Sequence, residues 1–438
     1  MKKYDKYKPT GSPWIGEIPE HWEVKKLSYI GGKITDFVAS GSFADLRENV
    51  EYLDEPDHAM LVRTADLSQK GNTSPVYVSK ESYTFLSNSN LFGGEIILPN
   101  IGSVGDVYIV PKDLYPYMTL APNAIMLNTD YNPYLYYYFL SKSGCEAIKN
   151  IAQGTTQSKF NKTELRALKV IIPPQSEQES IVAYLDEKCG SVDKVIAKQE
   201  RRIALLKELK QSIISEAVTR GINPDAPLKA TGIEWIGQIP EHWEVMPLKR
   251  TGSFGNGLTY SPDELCDEDG ILVLRSSNIQ NDKLCFEDNV YVKGCSDSLM
   301  VTPGDIIICS RNGSASLVGK CAMVENELYA TFGAFMMRYR PLRKANKKFS
   351  YYMLQAALKL HKGLYSTTTI NQLTNAVIDQ ITVSYPPFSE QEVIAKYLDE
   401  KCGRFDILIS KATREIELLK EYKQSIITEA VTGKIKVC

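Results

Sequence analysis

Two stretches of this 438-residue chain are each written twice, in the same order. Ile-Pro-Glu-His-Trp-Glu-Val fills Ile18–Val24 and returns at Ile239–Val245. Around it, Thr10–Leu27 aligns with Thr231–Leu248, and further on Ser176–Thr219 returns as Ser389–Thr432. The chain holds only four Trp and four His, and two of each lie in the doubled string, so coincidence does not account for it. It reads as motif, variable segment, long block, and then the same again. Equal apolar patterns in equal order bury equal faces, which demands two halves on one plan.

The variable segments, Ser28–Pro174 and Lys249–Pro387, share only an outline. Each has Leu-Val before a polar stretch (Leu61–Asp66, Leu272–Asn278) and then Gly-acid-Ile-Ile (Gly94–Ile97, Gly304–Ile307). Each ends in a hydroxyl-rich loop, an apolar strand and Pro-Pro. Alternating and β-branched runs predict strands, and the aromatic stretches near Pro133–Ala152 and Lys348–Leu364 predict helices. Each segment is therefore expected to be a small α+β domain whose scaffold is shared and whose surface is not.

The long blocks lack proline and predict helices. Their one glycine, in Glu-Lys-Cys-Gly, predicts a junction between a short helix and a longer one. Val192, Ile196, Gln199, Ile203, Leu206, Lys210, Ile213 and Ala217 step by four and three. The second copy gives Phe405, Ile409, Ala412, Ile416, Leu419, Lys423, Ile426 and Ala430. This is a heptad seam of about four repeats, on a helix roughly 40 Å long. Each apolar stripe needs a partner, and the obvious one is the other copy. The expected fold class is α+β, with two pseudo-twofold-related domains separated by an antiparallel pair of long coiled-coil helices. Lys210 and Lys423 take equivalent seam positions, either fixing register or snorkelling to the edge. The ends of the chain are expected to lie close together.

No apolar run approaches a membrane span, and the basic start lacks the apolar core of a signal peptide, which points to the cytoplasm. The nine cysteines show no paired zinc-type spacing and read as reduced thiols, with no metal site. A net charge of −2 argues against a simple basic DNA-binding domain without excluding a local patch. Fragments that hint at catalysis are incomplete. Ser253–Gly257 and Asn132–Tyr134 lie in different halves and in the wrong order for a methyltransferase; Gly313–Cys321 has the wrong spacing for a phosphate loop. Glu23–Lys25 hints at a nuclease core, but its copy ends in Met246. His21 and His242 have no partner at a shared spacing, so the doubled string reads as scaffold or partner docking, with Trp14, Ile18, Trp22 and Val24 packing and no catalytic residue assigned.

The ordered, doubled set of marks resembles the specificity subunit of type I restriction–modification systems over nearly the whole chain. The marks are Trp-Ile-Gly-x-Ile-Pro-x-His-Trp ahead of each variable segment, Pro-Pro-x-Ser-Glu-Gln at Pro173–Gln178 and Pro386–Gln391, and Leu-Asp-Glu-Lys-Cys-Gly beyond. Gly154–Asn161 is similar to the family's turn before the last strand, and Tyr365–Leu373 is a looser match. The resemblance implies a first target recognition domain at 1–174, a spacer helix at 175–221, a second recognition domain at 222–387, and a second spacer helix with a tail at 388–438. It implies a non-catalytic partner of double-stranded DNA with a bipartite, asymmetric site around an unread spacer. Two adenine-N6 methyltransferase subunits and, in the full complex, restriction subunits would dock on it. No cofactor is expected in this chain; S-adenosylmethionine, ATP and Mg would belong to those partners. The alternatives are a docking scaffold that reads no DNA, and an enzyme with an unrecognised site.

Base reading needs donors and acceptors on loops that reach the groove floor. The candidates in the first domain are Arg63, Thr64, Asn100, Ser103, Thr155, Thr156, Gln157 and Lys159. In the second they are Arg275, Ser276, Asn278, Arg311, Asn312, Ser314, Thr367, Thr368 and Thr369. The basic run Arg338–Lys348 is a candidate for phosphate contact, and the acidic run Asp45–Asp57 is expected to face away from phosphate.

Overall fold

The computed structural model describes residues 2–11, 14–68, 74–152, 158–364 and 371–437. They form two compact units, Met1–Glu200 with Arg414–Cys438, and Arg201–Thr413. Each holds one variable segment and a share of both long helices, Gln175–Arg220 and Phe388–Val431. Pro173-Pro174 and Pro386-Pro387 immediately precede the two helices, where proline's missing N–H costs no helical bond. A glycine with positive φ follows each helix, Gly221 at +75° and Gly433 at +69°. The break expected at Gly190 and Gly403 does not occur; both helices run through. A helical glycine costs about 0.5–1 kcal/mol against alanine. Burial of Leu185, Cys189 and Val192 on the neighbouring turns outweighs that.

The first unit is built on an antiparallel sheet in the order Lys33–Asp36, Ala124–Asn128, Ile96–Pro99, Tyr108–Ile109. A second sheet runs Tyr77–Val78, Ala59–Val62, Met118–Leu120, Asn90–Leu91, and its middle pair is parallel. Two ribbons complete it, Glu23–Lys26 with Lys169–Ile172 and Tyr7–Pro9 with Glu17–Pro19. Near the second ribbon, Lys2 pairs with Lys436 through the backbone, so the described ends of the chain do meet.

The second unit repeats the plan. Its main sheet runs Gly252–Asn256, Met336–Pro341, Ile306–Cys309, Cys321–Met323. In its second sheet Ile271–Leu274 and Ala330–Phe332 are again parallel neighbours. The ribbons are Glu244–Pro247 with Thr382–Tyr385 and Leu228–Ala230 with Gln238–Pro240. A hairpin, Ile279–Gln280 with Lys283–Leu284, has no counterpart among the described strands of the first unit. The α+β expectation and the helices expected in the aromatic stretches are met, as Asn132–Leu140, Lys142–Ile151 and Lys347–Leu360.

The cores match turn for turn. Ile18, Trp22, Ile181, Leu185, Cys189, Ile427, Ala430 and Val431 share one cluster in the first unit. Ile239, Trp243, Ile394, Leu398, Cys402, Ile214, Ala217 and Val218 share its equivalent in the second. The helix ends are thus core elements of the units, and the same apolar letters were written twice because the same core is built twice.

Candidate nucleic-acid interface

The doubled string closes on the doubled helix start. Trp22 is fully buried, and its Nε1 donates to Oε2 of Glu177 at 2.9 Å. His21 Nε2 lies 2.5 Å from Glu177 Oε1, and the Tyr4 hydroxyl donates to Oε2 at 2.7 Å. In the second unit Trp243 Nε1 meets Glu390 Oε2 at 2.9 Å, and His242 Nε2 lies 2.5 Å from Oε1. Both carboxylates sit in the first helical turn, where the helix dipole favours negative charge. Burial alone would raise the Glu177 carboxyl, but hydrogen bonds from Tyr4, Trp22 and His21 outweigh it and hold it below the usual carboxylate range. The glutamine of the same motif turns back: Gln178 Nε2 donates to Pro173 O and Gln391 Nε2 to Pro386 O. Within Pro-Pro-x-Ser-Glu-Gln, then, the prolines, glutamate and glutamine all set the helix entry.

The Leu-Asp-Glu-Lys-Cys-Gly motif is equally structural. The Tyr137 hydroxyl donates to Asp186 at 2.6 Å and the Tyr352 hydroxyl to Asp399 at 2.7 Å. Burial pushes the Cys189 and Cys402 thiols up to about 11, which keeps them protonated at neutral pH.

The seam residues Val192, Ile196, Ile203, Leu206, Lys210, Ile213, Phe405, Ile409, Ile416, Leu419, Lys423 and Ile426 are all buried or half-buried. The two lysines make matched ion pairs. In the first unit Lys423 Nζ donates to both oxygens of Asp193, each at 2.7 Å. In the second, Lys210 Nζ donates to Asp406 at 2.7 Å. Gln199 also bonds Glu415 at 2.8 Å. Partner numbers fall as helix numbers rise, from 193 with 423 to 199 with 415, so the helices pack antiparallel within the first unit.

Sheet register aligns the candidate reading loops. Pro99 opposite Ala124 corresponds to Cys309 opposite Met336. The next residues, Asn100 and Ser310, each donate a backbone N–H to the carbonyl before the partner strand, that of Asn123 and of Phe335. Ile101 bridges Lys159 as Arg311 bridges Gln372. In the second unit these loops converge: Asn312 Nδ2 donates to Ser276 Oγ at 3.2 Å, and Ser314 N donates to Asn312 Oδ1. Lys320 braces them from beneath, donating to Ser276 O and Ile279 O, and burial lowers its pKa from the usual lysine value.

Other candidates are engaged internally. Asn278 is buried; it accepts from the Arg275 backbone N–H and donates to Cys285 O. The Arg275 guanidinium pairs with Asp288 at 2.9 Å. Arg63 grips Asp66 through two bonds of 2.9 and 2.6 Å and donates to Ser74 O. Thr64 begins the short helix Thr64–Leu67. Asn100 Nδ2 donates to Phe160 O, which places it beside Lys159, and Ser103 is exposed in the following turn. Thr155, Thr156, Gln157, Thr367, Thr368 and Thr369 lie outside the described residues. Sequence reasoning missed Lys320 and Phe335, since only strand register brings them to the loops.

The basic run is mostly internal. Arg340 forms a two-bond pair with buried Asp305, Arg338 donates to Ser298 O and Met300 O, and Lys347 and Lys348 reach Pro303 O and Glu325. Arg343 and Lys344 are exposed. The catalytic look-alikes dissolve into scaffold: Gly252–Asn256 is a strand, and Asn132 is a buried residue donating to Gly94 O and Leu127 O. Among the described residues no group of three or more His, Cys, Asp or Glu is placed to hold a metal ion, and no helix is long and apolar enough to cross a membrane.

The two units are thus one domain plan used twice, with a shared scaffold and divergent loops. The type I restriction modification DNA specificity domain model matches residues 19–207 and 240–418, and the chain belongs to that family. Both halves are DNA specificity domains of the type I restriction–modification class. The chain is 30% identical to the EcoKI specificity subunit of Escherichia coli (strain K12) over 206 residues, an alignment spanning 45% of this chain and 44% of that protein. It is 26% identical to the putative MjaX specificity subunit of Methanocaldococcus jannaschii, over 97% of this chain and 96% of that one. A chain from a study of complex assembly and conformational transition of the type I R-M system shares the fold at a TM-score of 0.64 and 16% identity, covering 95% of this chain and 99% of that chain.

Proposed function

We propose that each unit reads one half of a bipartite, asymmetric DNA site with an unread spacer, and that the chain docks two adenine-N6 methyltransferase subunits and, through them, restriction subunits. The observation that carries this reading is the pairing of one topology with unlike side chains at equivalent register, such as Ile101 against Arg311 and Asn123 against Phe335. Two scaffolds that differ where loops meet would recognise two different base sequences. Chemistry would come from the partners, which would bind S-adenosylmethionine, ATP and Mg, and the complex would work in the cytoplasm. The test is genome-wide mapping of N6-methyladenine with and without the chain, and with Ser28–Pro174 replaced by a relative's segment. One half of the methylated sequence should change while the other persists. A change in both halves would overturn the assignment of one unit to one half-site. Failure to bind DNA even with methyltransferase present would favour a pure docking scaffold.

A further inference from the structure

The two units differ in kind at one pair of equivalent positions. In the second unit the Arg311 guanidinium lies over the Phe335 ring, 5.5 Å from its centroid. Phe335 is 61% exposed, so its ring stands open to solvent beside that guanidinium. The pair is tied through the backbone, since Phe335 O accepts from Ser310 N at 3.0 Å and Arg311 N at 3.1 Å. Among the described residues the Arg311 guanidinium has no hydrogen bond or ion pair, whereas Arg63, Arg275 and Arg340 are all held by carboxylates. In the first unit the same positions are Ile101 and Asn123, with neither a cation nor a ring.

An arginine on an aromatic face keeps its planar fork free at the edge while the ring restricts its rotation. That fork matches the O6 and N7 acceptors of guanine in the major groove. We propose that Phe335 determines specificity by orienting Arg311, and that Arg311 reads one guanine in the half-site of the second unit. The inference rests on the reading that each unit recognises one half-site. Arg311 is the base-contacting residue and Phe335 the positioning residue; Asn312, bonded to Ser276, fixes the loop beside them. The half-site of the first unit gains nothing from this device.

The experiment co-expresses the full chain with its methyltransferase subunit and maps N6-methyladenine genome-wide for wild type, Arg311→Ala, Arg311→Lys, Phe335→Leu, Phe335→Tyr and Asn123→Ala. Arg311→Ala and Arg311→Lys should relax a single G·C position in one half-site, lowering discrimination there on the order of 5- to 150-fold. Phe335→Leu, which keeps apolar bulk but removes the ring, should relax that same position, and Phe335→Tyr should restore it. Asn123→Ala should leave that half-site unchanged. Relaxation by the Arg311 variants but not by Phe335→Leu would overturn the positioning role. Unchanged specificity in every variant, or weakening spread evenly over all positions, would overturn the proposal. Absence of any bipartite methylation dependent on the wild-type chain would instead defeat the underlying reading.

Discussion

Glu177 shows how a single carboxylate can hold together sequence written far apart. It accepts from Tyr4, His21 and Trp22, all more than 150 positions away. Its folded-state pKa lies below the ordinary 4.5, so its contribution is complete at neutral pH and is lost as pH falls through the lowered value. Glu177→Gln should therefore destabilise the chain by about 2 kcal/mol near neutrality, with a shrinking penalty in acid. Urea midpoints for both proteins at about pH 7 and about pH 3 check this. A penalty that is the same at both pH values would show that the charge is not what matters.

The long helices carry one lysine–aspartate ion pair in each unit. Lys423 with Asp193 and Lys210 with Asp406 are the same interaction made once in each unit. Reversing one charge, as in Lys423→Asp, places two carboxylates face to face and should destabilise the first unit. Adding Asp193→Lys should recover most of the loss. The coupling is expected at about 0.5–1 kcal/mol because the pair is partly exposed. Absence of recovery in the double variant would rule out the pair as a stabilising contact.

Much of this was legible because helical periodicity is local. The spacing from Val192 to Ala217 exposed the seam, and the missing prolines exposed the helices. The supposed break at Gly190 was wrong because a glycine's local cost is small beside the burial around it. The partnership of Trp22 with Glu177 was hidden, since neither residue announces a contact across 155 positions. Two strings repeating together hinted that they touch. Arg63 looked free to read bases, yet Asp66 stands at the i+3 distance that captures it. Phe335 was out of reach, because its place beside Arg311 follows from strand register.

The two units also differ in how their parts are distributed along the chain. Arg201–Thr413 is contiguous, whereas the other unit joins Met1–Glu200 to Arg414–Cys438. Its core needs Ile426, Ile427, Ala430 and Val431, and the Tyr134 hydroxyl donates to Val431 O. A chain cut after Thr413 should keep the contiguous unit protected from protease while residues 1–200 become sensitive. Equal protection of both would contradict the division. On the ribosome, therefore, the segment made first is finished last. Loss of residues 414–438 would cripple the unit translated at the outset and spare the one translated after it.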